Sequence, residues 1–161
     1  MTRSLILVLA LFWTAAACAE DWEKYSAKEY GFEMLVPKGV KMIEREKSGG
    51  WGGLYANYEG VKLYALAKLG AEETRDDIRK FAEKECGIPG ENWTKVDSAK
   101  NTAGWKWYEV YVAEKDGALI FGGFGTGLKG NYLAFLKTTK ADYDEHKDDY
   151  KAWFASVKLS D

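Results

Sequence analysis

The chain has 161 residues, with 23 Lys+Arg against 25 Asp+Glu, 1 His, 2 Cys and 2 Pro. A net charge of −2 excludes a bulk electrostatic pull toward nucleic acid or anionic lipid. With 7 Trp, 10 Tyr and 7 Phe there is core material for one folded domain, and nothing in the composition indicates disorder.

Residues 1–19 read as a secretory signal. Arg3 supplies the positive start, Leu5–Trp13 is unbroken apolar sequence, and Ala17-Cys18-Ala19 forms an A-x-A cleavage site. The charge-free stretch Ser4–Ala19 is shorter than the roughly 20 residues a spanning helix needs. The expectation is therefore an exported domain over residues 20–161, periplasmic in a bacterial envelope, with no transmembrane segment. Ala15-Ala16-Ala17-Cys18 also resembles a lipobox, so acylation of Cys18, which would tether the domain to a membrane, is the alternative. Without the signal only Cys86 remains, which excludes an internal disulfide.

Trp22–Tyr25, Phe32–Val36 and Val40–Glu46 look extended. Leu54–Tyr58 and Val61–Leu69 flank Glu59-Gly60, a two-residue hairpin signal. The period then changes: Thr74…Asp77 resembles a capping box, and Ile78, Phe81, Ala82 and Cys86 make a helical stripe that Gly87 and Pro89 end. Trp93–Ser98, Trp105–Glu114, Ala118–Phe124 and Tyr132–Thr138 read as four more strands, with Lys115-Asp116-Gly117 turning the second into the third. The last two are apolar at both alternating sets of positions, which suggests central strands covered on both faces. A final helix over about Ala141–Val157 carries Tyr143, Lys147, Tyr150, Phe154 and Val157 on one face. The order argues for an α+β architecture with a mainly antiparallel sheet.

Tyr30-Gly-Phe-Glu-Met-Leu-Val-Pro37 resembles the opening of the PsbP/Mog superfamily, which includes DcrB-type bacterial envelope proteins. The resemblance continues through the helix Asp76–Cys86, the strand after Ala103-Gly104, the hairpin at Asp116-Gly117 and the closing Tyr150–Leu159. It implies an α-β-α sandwich, with the sheet covered by helices on both faces. It also implies a largely non-catalytic accessory or partner-binding role with no shared catalytic residues or cofactor.

The single His146 limits nucleophilic catalysis, and no serine sits in a recognisable elbow. Asp142, Glu145, His146 and Asp149 share one helical side and form a weak candidate divalent-metal site, with a hydrated helix face as the plainer reading. Gly125-Thr-Gly127-Leu-Lys-Gly130 matches G-x-G-x-x-G, but a strand follows it, so a turn needing positive φ is the simpler explanation. Ser48-Gly-Gly-Trp-Gly-Gly53 suggests a mobile loop, and Trp51 with Gly52 and Gly53 is the contact expected for a partner. The other reading folds Trp51 onto the core. Trp105, Trp107, Glu109 and Tyr111 alternate along one strand face, which could line an aromatic cleft or pack under a helix. Cys86 reads as a buried small hydrophobe.

The sequence thus points to a non-enzymatic exported domain that binds another envelope protein. A receptor for a small apolar or sugar ligand, using Trp105, Trp107 and Tyr111, is the alternative. A carboxylate-based hydrolase stands behind both.

Overall fold

A computed structural model describes residues 21–97 and 103–160; the signal segment and Cys18 lie outside the described residues. Ten strands form two sheets, and every strand pairing is antiparallel. β1 (Trp22–Ala27) and β2 (Phe32–Pro37) pair as a hairpin, and the short β10 (Lys158–Leu159) adds to the other edge of β2. The larger sheet has the order β3-β4-β5-β9-β8-β7-β6. Its members are β3 (Ile43–Ser48), β4 (Trp51–Tyr58), β5 (Val61–Leu69), β6 (Trp93–Val96), β7 (Trp105–Lys115), β8 (Ala118–Gly127) and β9 (Gly130–Thr139).

Helix α1 (Arg75–Cys86) carries the chain from β5 to the far edge at β6, and the meander β6–β9 then returns to pair β9 with β5. Its ends form where the sequence places them. The Thr74 side chain accepts from the Asp77 amide at 3.2 Å, and Gly87 closes the helix with φ of 70°. Helix α2 (Lys140–Ser156) follows β9 directly, capped by Thr139, whose hydroxyl accepts from the Asp142 amide.

Alternate residues of the central strands enter two apolar clusters, as a period of two requires. Leu119, Phe121, Ala134 and Leu136 pack with Tyr143, Tyr150, Trp153 and Phe154 of α2 and with Phe32, Met34 and Val36 of β2. Ile120, Phe124, Leu133 and Phe135 pack with Ile78, Ala82 and Cys86 of α1. β8 and β9 are buried along nearly their whole length, as their two-sided apolar pattern anticipates.

Two local readings need correction. The glycines of the G-x-G-x-x-G match are not turn residues, because the hairpin turn is Leu128-Lys129. A Cβ on Gly125 would lie 2.1 Å from the Trp107 carbonyl oxygen, and one on Gly130 would lie 2.2 Å from that of Lys68. Close backbone approach is what selects glycine there. In α2 the backbone leaves helical values at His146 (φ −112°, ψ 20°), so Lys147 is exposed and Trp153 joins the buried face in its place.

Candidate functional site

The glycine-rich stretch Ser48–Gly53 is not a loop tipped by an aromatic ring. Only Gly49 and Gly50 form the turn, with φ of 58° and 83°, and Trp51, Gly52 and Gly53 already belong to β4. Trp51 is 4% exposed and stacks on Phe81 of α1, with centroids 4.1 Å apart and planes 8° from parallel. Arg45 of β3 and Glu85 of α1 form a two-pronged ion pair that draws the same hairpin toward the helix. Gly53 lets β4 approach β5, since a Cβ would meet the Ala65 carbonyl oxygen at 2.2 Å. Trp51 is therefore core, and its ring is not available to a partner. Gly52 does line a hollow of about 300 Å³, but the polar walls there already engage each other: Tyr30 donates to Glu44 at 2.7 Å.

The aromatic row of β7 is also not a cleft. Trp105 faces Gly127 and Trp107 faces Thr126, so Lys106 is an extra residue on β7. This bulge reverses which face the preceding side chain takes. Trp105 packs in the α2 cluster and donates to the Val157 carbonyl at 3.4 Å. Trp107 and Tyr111 lie in the α1 cluster, beneath the guanidinium groups of Arg75 (4.5 Å) and Arg79 (5.6 Å). Glu109 accepts from Lys95 at 2.8 Å, from the Tyr111 hydroxyl at 2.8 Å and from Arg75 at 3.3 Å. The carboxylate is fully engaged.

Burial pushes the Glu109 carboxyl up, but hydrogen bonds from Lys95 and Tyr111 and the charges of Lys95 and Arg75 outweigh it, so its pKa sits below the ordinary range. Burial first, and then the bond to Glu109, pushes Tyr111 up to about 12. A lowered carboxylate contributes stability above its unfolded value near about 4.3, and that contribution is lost as pH falls through the folded value. A raised tyrosine contributes fully below about 10, and its contribution is lost as pH rises through the folded value. Urea midpoints measured across pH should therefore fall at both extremes, and Glu109→Gln should flatten both limbs. Unchanged limbs in that variant would show that the network adds no stability.

A different concavity emerges where β1, the β4–β5 hairpin and α2 meet. It is a cleft of about 260 Å³. Its apolar walls include Trp22, Pro37, Ala56, Val61, Leu63 and Leu136. Ala56 lies opposite Leu63 and Tyr58 opposite Val61, so a small residue gives depth beneath the helix. Glu59 (φ 49°) and Gly60 (φ 88°) make the tight turn that the sequence signalled, and this places Glu59 at the rim. Asp21, at the start of β1, is exposed on the same rim.

Helix α2 supplies the remaining wall with Asp142, His146, Asp149 and Tyr150. Asp142 accepts from the Thr138 hydroxyl at 2.5 Å and from the Tyr150 hydroxyl. Burial, followed by this bond, raises the Tyr150 phenol well above its usual value, so it stays protonated and donates. His146 Nδ1 lies 3.5 Å from an Asp149 carboxylate oxygen. The non-helical residue of α2 thus stands at the cleft, in a backbone region that is sparsely populated and recurs at functional sites.

Three of the four candidate metal ligands, Asp142, His146 and Asp149, line this cleft, while Glu145 does not. Among the described residues no group of three His, Cys, Asp or Glu side chains comes close enough to hold a metal ion. The kink at His146 breaks the regular spacing on which that reading relied. Among the described residues the cleft walls contain no Ser, Thr or Cys, so the only hydroxyls these residues offer there are those of the tyrosines. Cys86 lies elsewhere, on the buried face of α1, and burial raises its thiol so that it stays protonated.

Sequence reasoning noticed the helical side of this site but not the cleft. Its walls come from four segments far apart in the chain, and besides the helical spacing of Asp142, His146 and Asp149 only the Glu59-Gly60 turn carries a local signal.

No protein-family model matches the chain, and no curated protein matches it in sequence. Solved structures do match. The solution structure of cyanobacterial PsbP (CyanoP) from Synechocystis superposes with a TM-score of 0.60, at 14% identity, over 86% of this chain and 92% of that one. PA94 of Pseudomonas aeruginosa, a protein of unknown function, covers 81% of this chain and 92% of its own at 14% identity, with a TM-score of 0.40 that is too low to carry an argument. The PsbP-like fold read from the sequence is borne out at the level of fold. No helix among the described residues is long and apolar enough to cross a membrane.

Proposed function

We propose that the chain is an exported, non-enzymatic binding module of the cell envelope, a sheet layered between α1 and α2 that engages a partner protein through the cleft beside α2. The observation that carries this reading is the cleft itself. It is an open concavity with an apolar floor and an exposed polar rim, and among the described residues no Ser, Thr, Cys or Lys lines it. At about 260 Å³ it falls just below the roughly 300–1,000 Å³ of pockets for drug-sized ligands, which suits one or two side chains of a docked segment. Export rests on the composition of residues 1–19. The chain enters the described fold at Asp21 and Trp22, at the cleft mouth, so a lipid on Cys18 would hold the cleft close to a membrane surface.

Tyr58 stands at the cleft and is 40% exposed, whereas Leu128 is 61% exposed in the β8–β9 turn at the opposite end of the sheet. A photo-crosslinking residue at Tyr58, in cells of the native host, should give one discrete adduct that excess unlabelled protein competes away. The same residue at Leu128 should give none. Identical adducts from both positions, or none from Tyr58, would contradict the assignment of the cleft.

A further inference from the structure

We infer that the cleft receives an arginine side chain from an extended segment of the partner, with a small apolar side chain seated beside it. This rests on the reading of the cleft as a protein-binding site. Among the described residues four carboxylates, those of Asp21, Glu59, Asp142 and Asp149, line the cleft together with the His146 imidazole, and no Lys or Arg does. Asp21 and Glu59 have no cationic partner among the described residues. The apolar floor would cover a methylene stem, which is how a long basic side chain is best accommodated.

Aromatic walls favour arginine over lysine. Trp22, half-buried, and Tyr58, 40% exposed, line the cleft as aromatic groups against which a planar guanidinium can stack while its fork meets carboxylates.

The second element of the proposal comes from an adjoining depression. Trp22 and Asp149 also belong to a smaller hollow of about 50 Å³ lined by Leu35, Ala152 and Trp153. Leu35 is 37% exposed although it is large and apolar, so an uncovered apolar surface continues from the cleft. Two neighbouring depressions with a shared wall suit side chains two residues apart, which project from the same face of an extended segment. They do not suit a small free cation, which would fill one and leave the other bare.

The test titrates the purified chain at low ionic strength with the blocked tripeptide Ac-Arg-Ala-Val-NH₂, its citrulline twin of the same shape without charge, and agmatine. Binding is followed by NMR at the Trp22 indole and the His146 imidazole. The arginine peptide should shift both resonances saturably and bind about tenfold or more tightly than the citrulline twin or agmatine. Asp21→Asn/Glu59→Gln, two exposed substitutions that should leave the melting temperature unchanged, should abolish that preference. Equal affinity for the citrulline peptide, undiminished preference in the double variant, or shifts confined to other regions would overturn the arginine assignment. Agmatine binding as tightly as the peptide would overturn the extended-segment occupant.

The Tyr58 adduct separates the two levels of the argument. A competed adduct with no arginine preference leaves the binding function standing and removes its occupant. Arginine selectivity at the cleft without any adduct overturns the protein-binding function and the partner segment with it, leaving only a preference for a guanidinium.

Discussion

Replacing Trp51 with alanine should cost about 3–5 kcal/mol of folding stability, the range for deleting a large buried aromatic side chain. For a chain of this size that corresponds to a fall in melting temperature of roughly 6–20 °C, at about 2–4 °C per kcal/mol. The loss has a specific origin. Trp51 stacks face to face on Phe81, and the cluster beneath it contains Leu66, Ile78 and Ala82, each no more than 1% exposed. Removing the ring leaves a cavity between β4 and α1 that these strands, pinned by ladder pairing on both sides of β4, cannot collapse to fill. Trp51→Phe should retain much of the stack and cost clearly less. Both variants, compared at a temperature where they are folded, should bind partner as the wild type does, because the ring does not reach the cleft. A loss of under about 1 kcal/mol accompanied by loss of partner binding would restore Trp51 as a contact residue.

The contrast between Trp51 as read from sequence and Trp51 as found shows where local patterns reach their limit. Glu59-Gly60, Asp116-Gly117, the Thr74 cap and the Gly87 stop were legible because each depends on residues within one turn of each other. The buried strands β8 and β9 were legible because two-sided apolarity is itself a statement of position in a sheet. Four glycines around a tryptophan look like a flexible tip. Gly49 and Gly50 do make a turn, but the cause of Gly53, close approach of β4 to β5, lies in a partner strand at residues 65–66. The aromatic row failed for a comparable reason. Alternation along β7 assumes unbroken register, and the extra residue at Lys106 sends Trp105 to the other face from Trp107 and Tyr111. Such a bulge is fixed by pairing with β8 and leaves no mark in the strand's own composition.

The cleft is the extreme case. Asp21, the hairpin residues Ala56, Glu59 and Val61, and Leu136 with Asp142 come from segments far apart in the chain, and only the fold brings them together. His146 stood out from the beginning because it is the only histidine, and its spacing with Asp142 and Asp149 was visible. What could not be read was that α2 departs from helical geometry at that residue, or that the helix and the β4–β5 hairpin line the same cleft. A fold shared with PsbP at 14% identity fixes the framework and leaves the surface to each sequence, so the function has to be argued from the site.

The most direct measurement of the central claim is partner binding by a chain whose cleft is filled. Val61 is half-buried at the first position of β5, opposite Tyr58 and beside the cleft floor. Val61→Trp introduces a large ring at a strand position that tolerates aromatic residues, changes no charge and alters no ladder hydrogen bond. The variant should melt within a few degrees of the wild type, roughly a 1 kcal/mol change, and its affinity for the partner captured at Tyr58 should fall at least about tenfold. A folded Val61→Trp protein that binds that partner with wild-type affinity would contradict the account.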